Sequence, residues 1–480
     1  MSEQRKLVTN SLSMLVNRLT QGVVAFVLTA TIARTLGAYA LGQYLLAFSY
    51  YYMFMSIVSQ GLKNFFTQQL SRDLKEMPVY LVNGTLLQLF FSIIGYLALV
   101  AVVSVLPYSS DTSTVCYIMG LTIIPFSLSN ITEAIFQAQE KMHLIALSTV
   151  PIYISRLLVM IWAINLKYGV DRLAAIVVIS ETIILLIEWC CAFKVSSVKW
   201  QIRPAFIWKT VKRSRTFFAI EAMGIIANKM QILILSILGS ESLVGIYGAI
   251  EQLIQPCYIV CDSILLAAFP KMSKVVKLGR EKQRQLGEQI IQILLCFILP
   301  LIAGMLLLAG NLFDFLYQDP TFKDALLPFD IVVLALLIFP FSKSCGYILV
   351  ANGYERFHLI EVFVTTILGG LSGIFLISQY KLLGAAYMAI VISLSSAGVL
   401  TYAVYNRLFS FNLWKIIRRP IIISVLISPV FIFLKALNLH FLTVLFIATC
   451  VYVMLIASFN VQALVNFGST YTKFFKKSNI

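Results

Sequence analysis

Apolar residues along this chain come in long blocks separated by short polar segments that hold most of the charges. About 20 apolar residues in a helix span the hydrocarbon core of a bilayer. Fourteen blocks approach or exceed that length, at roughly 11-33, 41-62, 79-106, 115-137, 143-165, 172-193, 216-238, 245-268, 288-309, 326-350, 358-378, 384-406, 420-435 and 441-463. The pattern predicts an all-α polytopic membrane protein with about 14 transmembrane helices. The block 420-435 is short, and only the turn KALNLH separates it from the last.

Composition agrees with the pattern. Of the 480 residues, 60% are hydrophobic and 12% charged, and the mean hydropathy is +0.89. Lys and Arg number 37 against 21 Asp and Glu, for a net charge of +16. In a soluble protein that excess suggests nucleic acid, but no RNA- or DNA-binding motif is present, and loop sidedness accounts for it. With the N-terminus inside, 27 of the cations fall in cytoplasmic segments and 6 in outer ones, the asymmetry expected of a membrane protein with both termini cytoplasmic. The first apolar segment lacks a small-residue cleavage site and reads as a retained helix. The eight cysteines lie almost entirely in apolar blocks without metal or disulfide spacing, and are expected to serve as small packing residues.

Internal echoes divide the chain. EKMHLI (Glu140 to Ile145) returns as ERFHLI (Glu355 to Ile360), 215 residues on. LGAYALGQY (Leu36 to Tyr44), after the first span, returns as LGSESLVGIY (Leu238 to Tyr247), after the seventh, and AIVVIS at 175-180 as AIVIS at 389-393. An offset of six spans gives both copies the same orientation, a parallel repeat about the membrane normal. The expected organisation is an N-terminal six-helix lobe (1-195), a basic cytoplasmic linker (196-215), a C-terminal six-helix lobe (216-407), and two extra helices with a basic tail (408-480). The linker is either a solvated connection or a lipid-contacting segment with Trp200 and Trp208 at headgroup level.

The six-plus-six arrangement, the two L-G turns and the basic loop resemble the Wzx-type oligosaccharide flippase family. That family of polysaccharide transporters belongs to the multidrug/oligosaccharidyl-lipid/polysaccharide exporter superfamily. The resemblance covers nearly the whole chain and implies a V-shaped transporter. Its implied substrate is an undecaprenyl-diphosphate-linked oligosaccharide, the repeat unit of an O-antigen (lipopolysaccharide), capsule or exopolysaccharide. It would carry this unit from the inner to the outer leaflet of a bacterial plasma membrane. Other polysaccharide-assembly proteins are the implied partners.

Catalytic signatures are missing. The sequence holds no phosphate-cradling G-x-x-x-x-G-K-[ST], no H-E-x-x-H and no G-x-S-x-G. No cofactor or metal is expected, and a non-enzymatic role is favoured. His143 and His358 occupy equivalent repeat positions and read as interfacial structural residues. The aspartates Asp314, Asp319, Asp324 and Asp330 fall in an outer segment too short for a domain, and are expected to cap helices and form turns. Two alternatives stand: a multidrug exporter of the same superfamily, whose cationic substrates a positive cavity would repel, and a membrane glycosyltransferase or polymerase.

Four cations remain inside spans: Arg18, Arg156, Lys229 and Lys343. Each costs about 2.5–3.5 kcal/mol at mid-bilayer unless compensated, and a lipid-linked diphosphate supplies the matching charge. Arg156 and Lys229 are expected to line a water-filled central cavity. Arg18 and Lys343 lie near inner helix ends, where substrate contact and snorkelling to the headgroups both fit. Acids within spans, namely Glu133, Glu181, Glu188, Glu221, Glu251 and Asp262, either form fixed ion pairs or bind a coupling H+ or Na+, with Glu251 and Glu181 the first candidates for coupling. Pro125, Pro151, Pro256, Pro300 and Pro340 mark sites for kinks.

Overall fold

A computed structural model of the chain describes residues 3–195, 202–437, 443, 444, 446–452 and 454. Its helices are α1 (Glu3–Met55), α2 (Gly61–Leu70), α3 (Met77–Val105), α4 (Ser110–Gly120), α5 (Ile123–Ala138), α6 (Met142–Asn165) and α7 (Val170–Val195), followed by α8 (Pro204–Leu238), α9 (Glu241–Val275), α10 (Arg280–Leu316), α11 (Leu326–Ala335), α12 (Phe339–Ala351), α13 (Arg356–Arg407) and α14 (Leu413–Ala436). No strand occurs among the described residues. The chain is an all-α polytopic membrane protein.

Eleven helical stretches of the described residues are long and apolar enough to cross a membrane. Two of them each hold two predicted spans. The stretch Thr9–Leu70 breaks at Gly37, with φ 85, and Arg356–Arg407 breaks at Lys381, with φ 50. Glycine enters the left-handed region without penalty, which explains the L-G turn after the first span. Lys381 has a Cβ to accommodate there, and its Nζ donates to the Leu238 carbonyl at 2.7 Å. Thirteen predicted spans therefore have helices, and the fourteenth, 441-463, lies largely outside the described residues.

The chain forms two compact units, the first comprising residues 1–252, 319–322 and 369–388, and the second 253–318, 323–368 and 389–480. In the first, α1 packs along α6, and α5 lies against α2, α3 and α7. Ile32, Leu41, Leu46, Met55 and Leu62 are fully enclosed. Between α1 and α2 the helix widens into a π segment at Ser56–Gln60. A π turn disturbs the regular hydrogen-bond ladder, and here side chains reach in: Gln88 Nε2 donates to the Val58 carbonyl at 3.3 Å and Asn130 Nδ2 to Ser59 Oγ at 2.6 Å.

The predicted linker is partly helical. α8 starts at Pro204, in the first turn where a missing N–H costs nothing, and the Arg203 amide donates to Asn83 Oδ1 at 2.7 Å. Thr210 and Ser214 are buried and Phe206 packs edge-on against Tyr80 at 4.7 Å, while Trp208 and Lys209, Lys212, Arg213 and Arg215 stay exposed. Trp200 lies outside the described residues.

In the second unit α10 packs against α11, α12 and α14. Leu308, Ile427, Phe431 and Leu434 form one apolar cluster, and Ile291, Leu295 and Ile416 another. Glu288 of α10 is buried against the start of α14, where it accepts from the Asn412 amide at 3.0 Å and lies 3.7 Å from Lys415 Nζ and 3.9 Å from Arg284 Nε.

Pro151, Pro256 and Pro300 lie inside helices, whereas Pro340 sits in the first turn of α12. Asp319 closes a turn by accepting from the Thr321 amide at 2.9 Å. Five of the eight cysteines, Cys116, Cys257, Cys261, Cys296 and Cys345, are buried in the helix packing.

Candidate functional site

Several of the charged groups inside the helices come together in acid-base sets. On α6, Arg156 Nη1 donates to Glu181 Oε1 of α7 at 2.9 Å and lies 3.4 Å from Ser180 Oγ. The guanidinium sits 4.7 Å from the centroid of the Tyr153 ring, and both charged side chains are largely enclosed. The planar fork of arginine suits this combination of carboxylate and aromatic face. Two residues singled out for different roles, one as substrate cation and one as coupling acid, are thus partners.

Lys229 of α8 and Glu251 of α9 form a looser set. Lys229 is the charged neighbour of Glu251, and its Nζ lies 5.9 Å from the Tyr52 ring. On the same helix as Lys229, Glu221 accepts from Asn64 Nδ2 of α2 at 2.9 Å.

In the second unit Lys343 of α12 is exposed, 5.6 Å from the Phe339 ring, with Asp262 and Glu361 as the carboxylates that feel its charge. Glu361 also lies 3.1 Å from His358 Nδ1. Arg18 stands apart. Its neighbour Asn17 is buried and accepts from Thr149 Oγ1 at 3.1 Å, which fixes the rotation of α1 and leaves Arg18 on an exposed face. Adjacent helical residues point about 100° apart.

Several charged residues that matter to these sets escaped sequence reasoning. Lys63 was assigned to a cytoplasmic loop, but α2 runs on to Leu70 and Lys63 pairs with Glu133 of α5. Glu361 and Glu288 were passed over although each lies at the start of a predicted span, 358-378 and 288-309. Glu241 fell between two predicted spans and was counted as loop. It opens α9, and its carboxylate accepts from Thr112 Oγ1 at 3.0 Å and Ser109 Oγ at 3.4 Å. Gln43 Nε2 donates to that same Thr112 hydroxyl at 3.1 Å.

The repeated L-G motifs meet each other directly. A Cβ at Gly42 would collide with the Glu241 carbonyl oxygen and lie 3.1 Å from the Gly245 nitrogen. One at Gly245 would collide with the Ala38 carbonyl oxygen and lie 2.8 Å from the Gly42 nitrogen. The glycines at equivalent places in LGAYALGQY and LGSESLVGIY let α1 and α9 touch backbone to backbone, as small residues do where membrane helices cross closely. Tyr50, Tyr108 and Ser236 add a hydroxyl chain with steps of 2.8 and 2.7 Å.

A multi-pass helical membrane protein with repeat motifs that cross and ion pairs inside its spans is the class these observations define, and known structures share the fold. Over 95% of this chain and 100% of the other, it matches a lipid II flippase MurJ in an inward closed conformation, with a TM-score of 0.76 at 13% identity. An inward-facing multidrug resistance MATE family transporter of the MOP superfamily aligns over 84% of this chain and 94% of its own, at TM-score 0.64 and 14% identity. A MOP superfamily transporter from Pyrococcus furiosus aligns over 86% and 95%, at 0.58 and 13%. A search of curated protein sequences finds no match. The family described as polysaccharide biosynthesis protein matches residues 31–320, more than half of the chain, and the chain belongs to it.

Proposed function

We propose that the chain is a flippase that moves an undecaprenyl-diphosphate-linked oligosaccharide from the inner to the outer leaflet of a bacterial plasma membrane by alternating access. The observation that carries this reading is the presence of Arg156, Lys229 and Lys343 within the spans of a polysaccharide biosynthesis family member, Arg156 in an ion pair with Glu181 and the two lysines within electrostatic reach of Glu251 and Asp262. A diphosphate competes with those carboxylates for the same cations.

In the proposed cycle the two six-helix lobes, 1-195 and 216-407, open first to the cytoplasm and then outward, while the polyprenyl tail stays in lipid. Arg18 receives the diphosphate at the inner entrance, and Arg156 and Lys229 hold it after exchange from Glu181 and Glu251. Each released carboxylate takes up H+ or Na+, which ties transport to an ion gradient. Lys343, Asp262 and Glu221 adjust the charge along the path. Both termini face the cytoplasm, where the protein works beside other polysaccharide-assembly proteins.

Pairing also favours a second reading. A cation beside an acid repels a cationic drug less than a bare cation does, so the multidrug exporter fits the charges better than the sequence suggested. A deletion strain separates the two. Inner-leaflet accumulation of an unpolymerised lipid-linked unit is the flippase result; no accumulation supports the exporter, and outer-leaflet accumulation a polymerase. Lys229→Ala is expected to abolish surface polysaccharide with normal protein in the membrane. Normal polysaccharide in that variant would overturn the role given to the cation.

A further inference from the structure

Three carboxylates are drawn in among α5, α6 and α7, and they are not equivalent. Glu133 has Lys63 and Glu181 has Arg156. Glu188, on α7 two turns beyond Glu181, is 0% exposed, and among the described residues it has no cation within ion-pair distance. An ionised carboxylate enclosed without a counter-charge is costly.

Hydroxyls take the place of the cation. Thr132 Oγ1 of α5 lies 2.7 Å from Glu188 Oε2 and Ser148 Oγ of α6 lies 3.1 Å from Oε1. Each hydroxyl has a second acceptor in its own helix: the Ser129 carbonyl is 2.7 Å from Thr132 Oγ1, and the Ile145 carbonyl 2.9 Å from Ser148 Oγ. A hydroxyl owns one proton and two lone pairs, so it donates to one acceptor at a time.

That constraint gives the cluster two complete hydrogen-bond patterns on one set of atomic positions. With Glu188 ionised, Thr132 and Ser148 both donate to it. With a proton on Oε2, Glu188 donates to Thr132 Oγ1, Thr132 turns its proton to the Ser129 carbonyl, and Ser148 continues to donate to Oε1. Neither state leaves a carboxyl oxygen unsatisfied.

A separate observation concerns the polar positions beside the cluster. On the same helix as Thr132, the side-chain oxygens Ser127 Oγ, Ser129 Oγ and Asn130 Oδ1 are buried with no hydrogen-bond partner among the described residues. Buried polar atoms without protein partners are the usual seats of internal water.

We propose that Glu188, with Thr132 and Ser148, is a proton-exchange site inside the α5–α6–α7 bundle. An O–H bond forms at Oε2 with a proton delivered from bulk water along the α5 polar positions, and it breaks to return that proton to water. The charged and titratable groups that face it are Glu133 and Lys63, with Tyr153 on α6 and Glu181 further along α7. Use of this proton to drive transport rests on the flippase reading above; the site itself does not.

Infrared difference spectroscopy of the full chain in lipid nanodiscs, taken between acid and alkaline buffers, tests the site without any transport. The expected result is a protonated-carboxyl C=O band that appears toward acid pH, is lost in Glu188→Gln, and moves to higher frequency in Thr132→Val with Ser148→Ala because hydrogen bonds to the carboxyl are gone. Absence of any titrating carboxyl band that Glu188→Gln removes, in samples whose helical circular dichroism is intact, overturns the proposal. Flipping of a lipid-linked sugar by the same wild-type preparation is scored separately. Its failure would remove the flippase reading and leave the infrared result standing.

Discussion

The crossing of α1 and α9 at Gly42 and Gly245 predicts an unusual pattern of substitutions. A methyl group at either position meets backbone oxygen, Glu241 from one side and Ala38 from the other. Backbone cannot rotate out of the way as a side chain can, so the two helices must separate. Overpacking of this kind costs about 1–3 kcal/mol. Gly22, on the same helix, has nothing within 4 Å of its would-be Cβ. There alanine only raises helix propensity, and Gly22→Ala is expected to be neutral or to stabilise by up to about 1 kcal/mol. The two crossing positions should also be non-additive, since Gly42→Ala and Gly245→Ala push the same helices apart: once one methyl has opened the gap, the second enters at reduced cost. Unfolding of the solubilised protein by sodium dodecyl sulfate, with helical circular dichroism as signal, measures all four variants. Gly245→Ala as stable as Gly22→Ala would refute the close crossing, and a double mutant losing the full sum would refute the shared separation.

Arg156→Ala should destabilise by about 3–5 kcal/mol, because it leaves Glu181 buried without its cation, whereas Arg156→Ala combined with Glu181→Ala should recover a large part of that loss; the same unfolding assay gives the coupling energy, and a double mutant as unstable as the single would contradict the pairing. Glu288→Ala removes a charged acceptor from the Asn412 amide, at a cost of about 1.5–3 kcal/mol, and limited proteolysis should then cut faster between α13 and α14. An unchanged cleavage rate there would show that Glu288 does not anchor the start of α14.

Span number was legible because it rests on block length alone, and block length maps directly onto helix rise. What block length could not show was that the helix carrying Lys63 continues to Leu70, since a basic residue after an apolar run reads as a loop on the cytoplasmic side. Lys63 in fact faces Glu133, seventy residues away, and only tertiary packing reveals the pair. The L-G repeats were legible as repeats, but their physical reason was not: no count of residues says that the two copies touch each other. Likewise Arg156 and Glu181 were each recognisable as intramembrane charges, yet their partnership depends on the rotation of α6 against α7. Glu188 was ranked behind Glu251 and Glu181, because what sets it apart, the lack of an ion-pair cation among the described residues and the two hydroxyls on neighbouring helices, is set by packing.

Charge pairing changes how an anionic substrate would be bound on the proposed reading. Among the described residues Arg18 has no ion pair, and it is exposed, so it can meet a diphosphate without breaking a contact. Arg156 cannot. For it to engage phosphate it must first leave Glu181, and the carboxylate left behind is enclosed. The pair therefore opens at low cost only if Glu181 acquires a proton or Na+ as Arg156 departs. Substrate binding and cation uptake at that pair are then linked, and linkage is reciprocal: whatever neutralises Glu181 tightens the hold of Arg156 on phosphate by the same factor. A flippase with bare cations would bind its substrate tightly on both sides of the membrane and release it slowly. One whose deep cation is returned to its own acid when the proton or Na+ departs has a built-in means of letting the head group go.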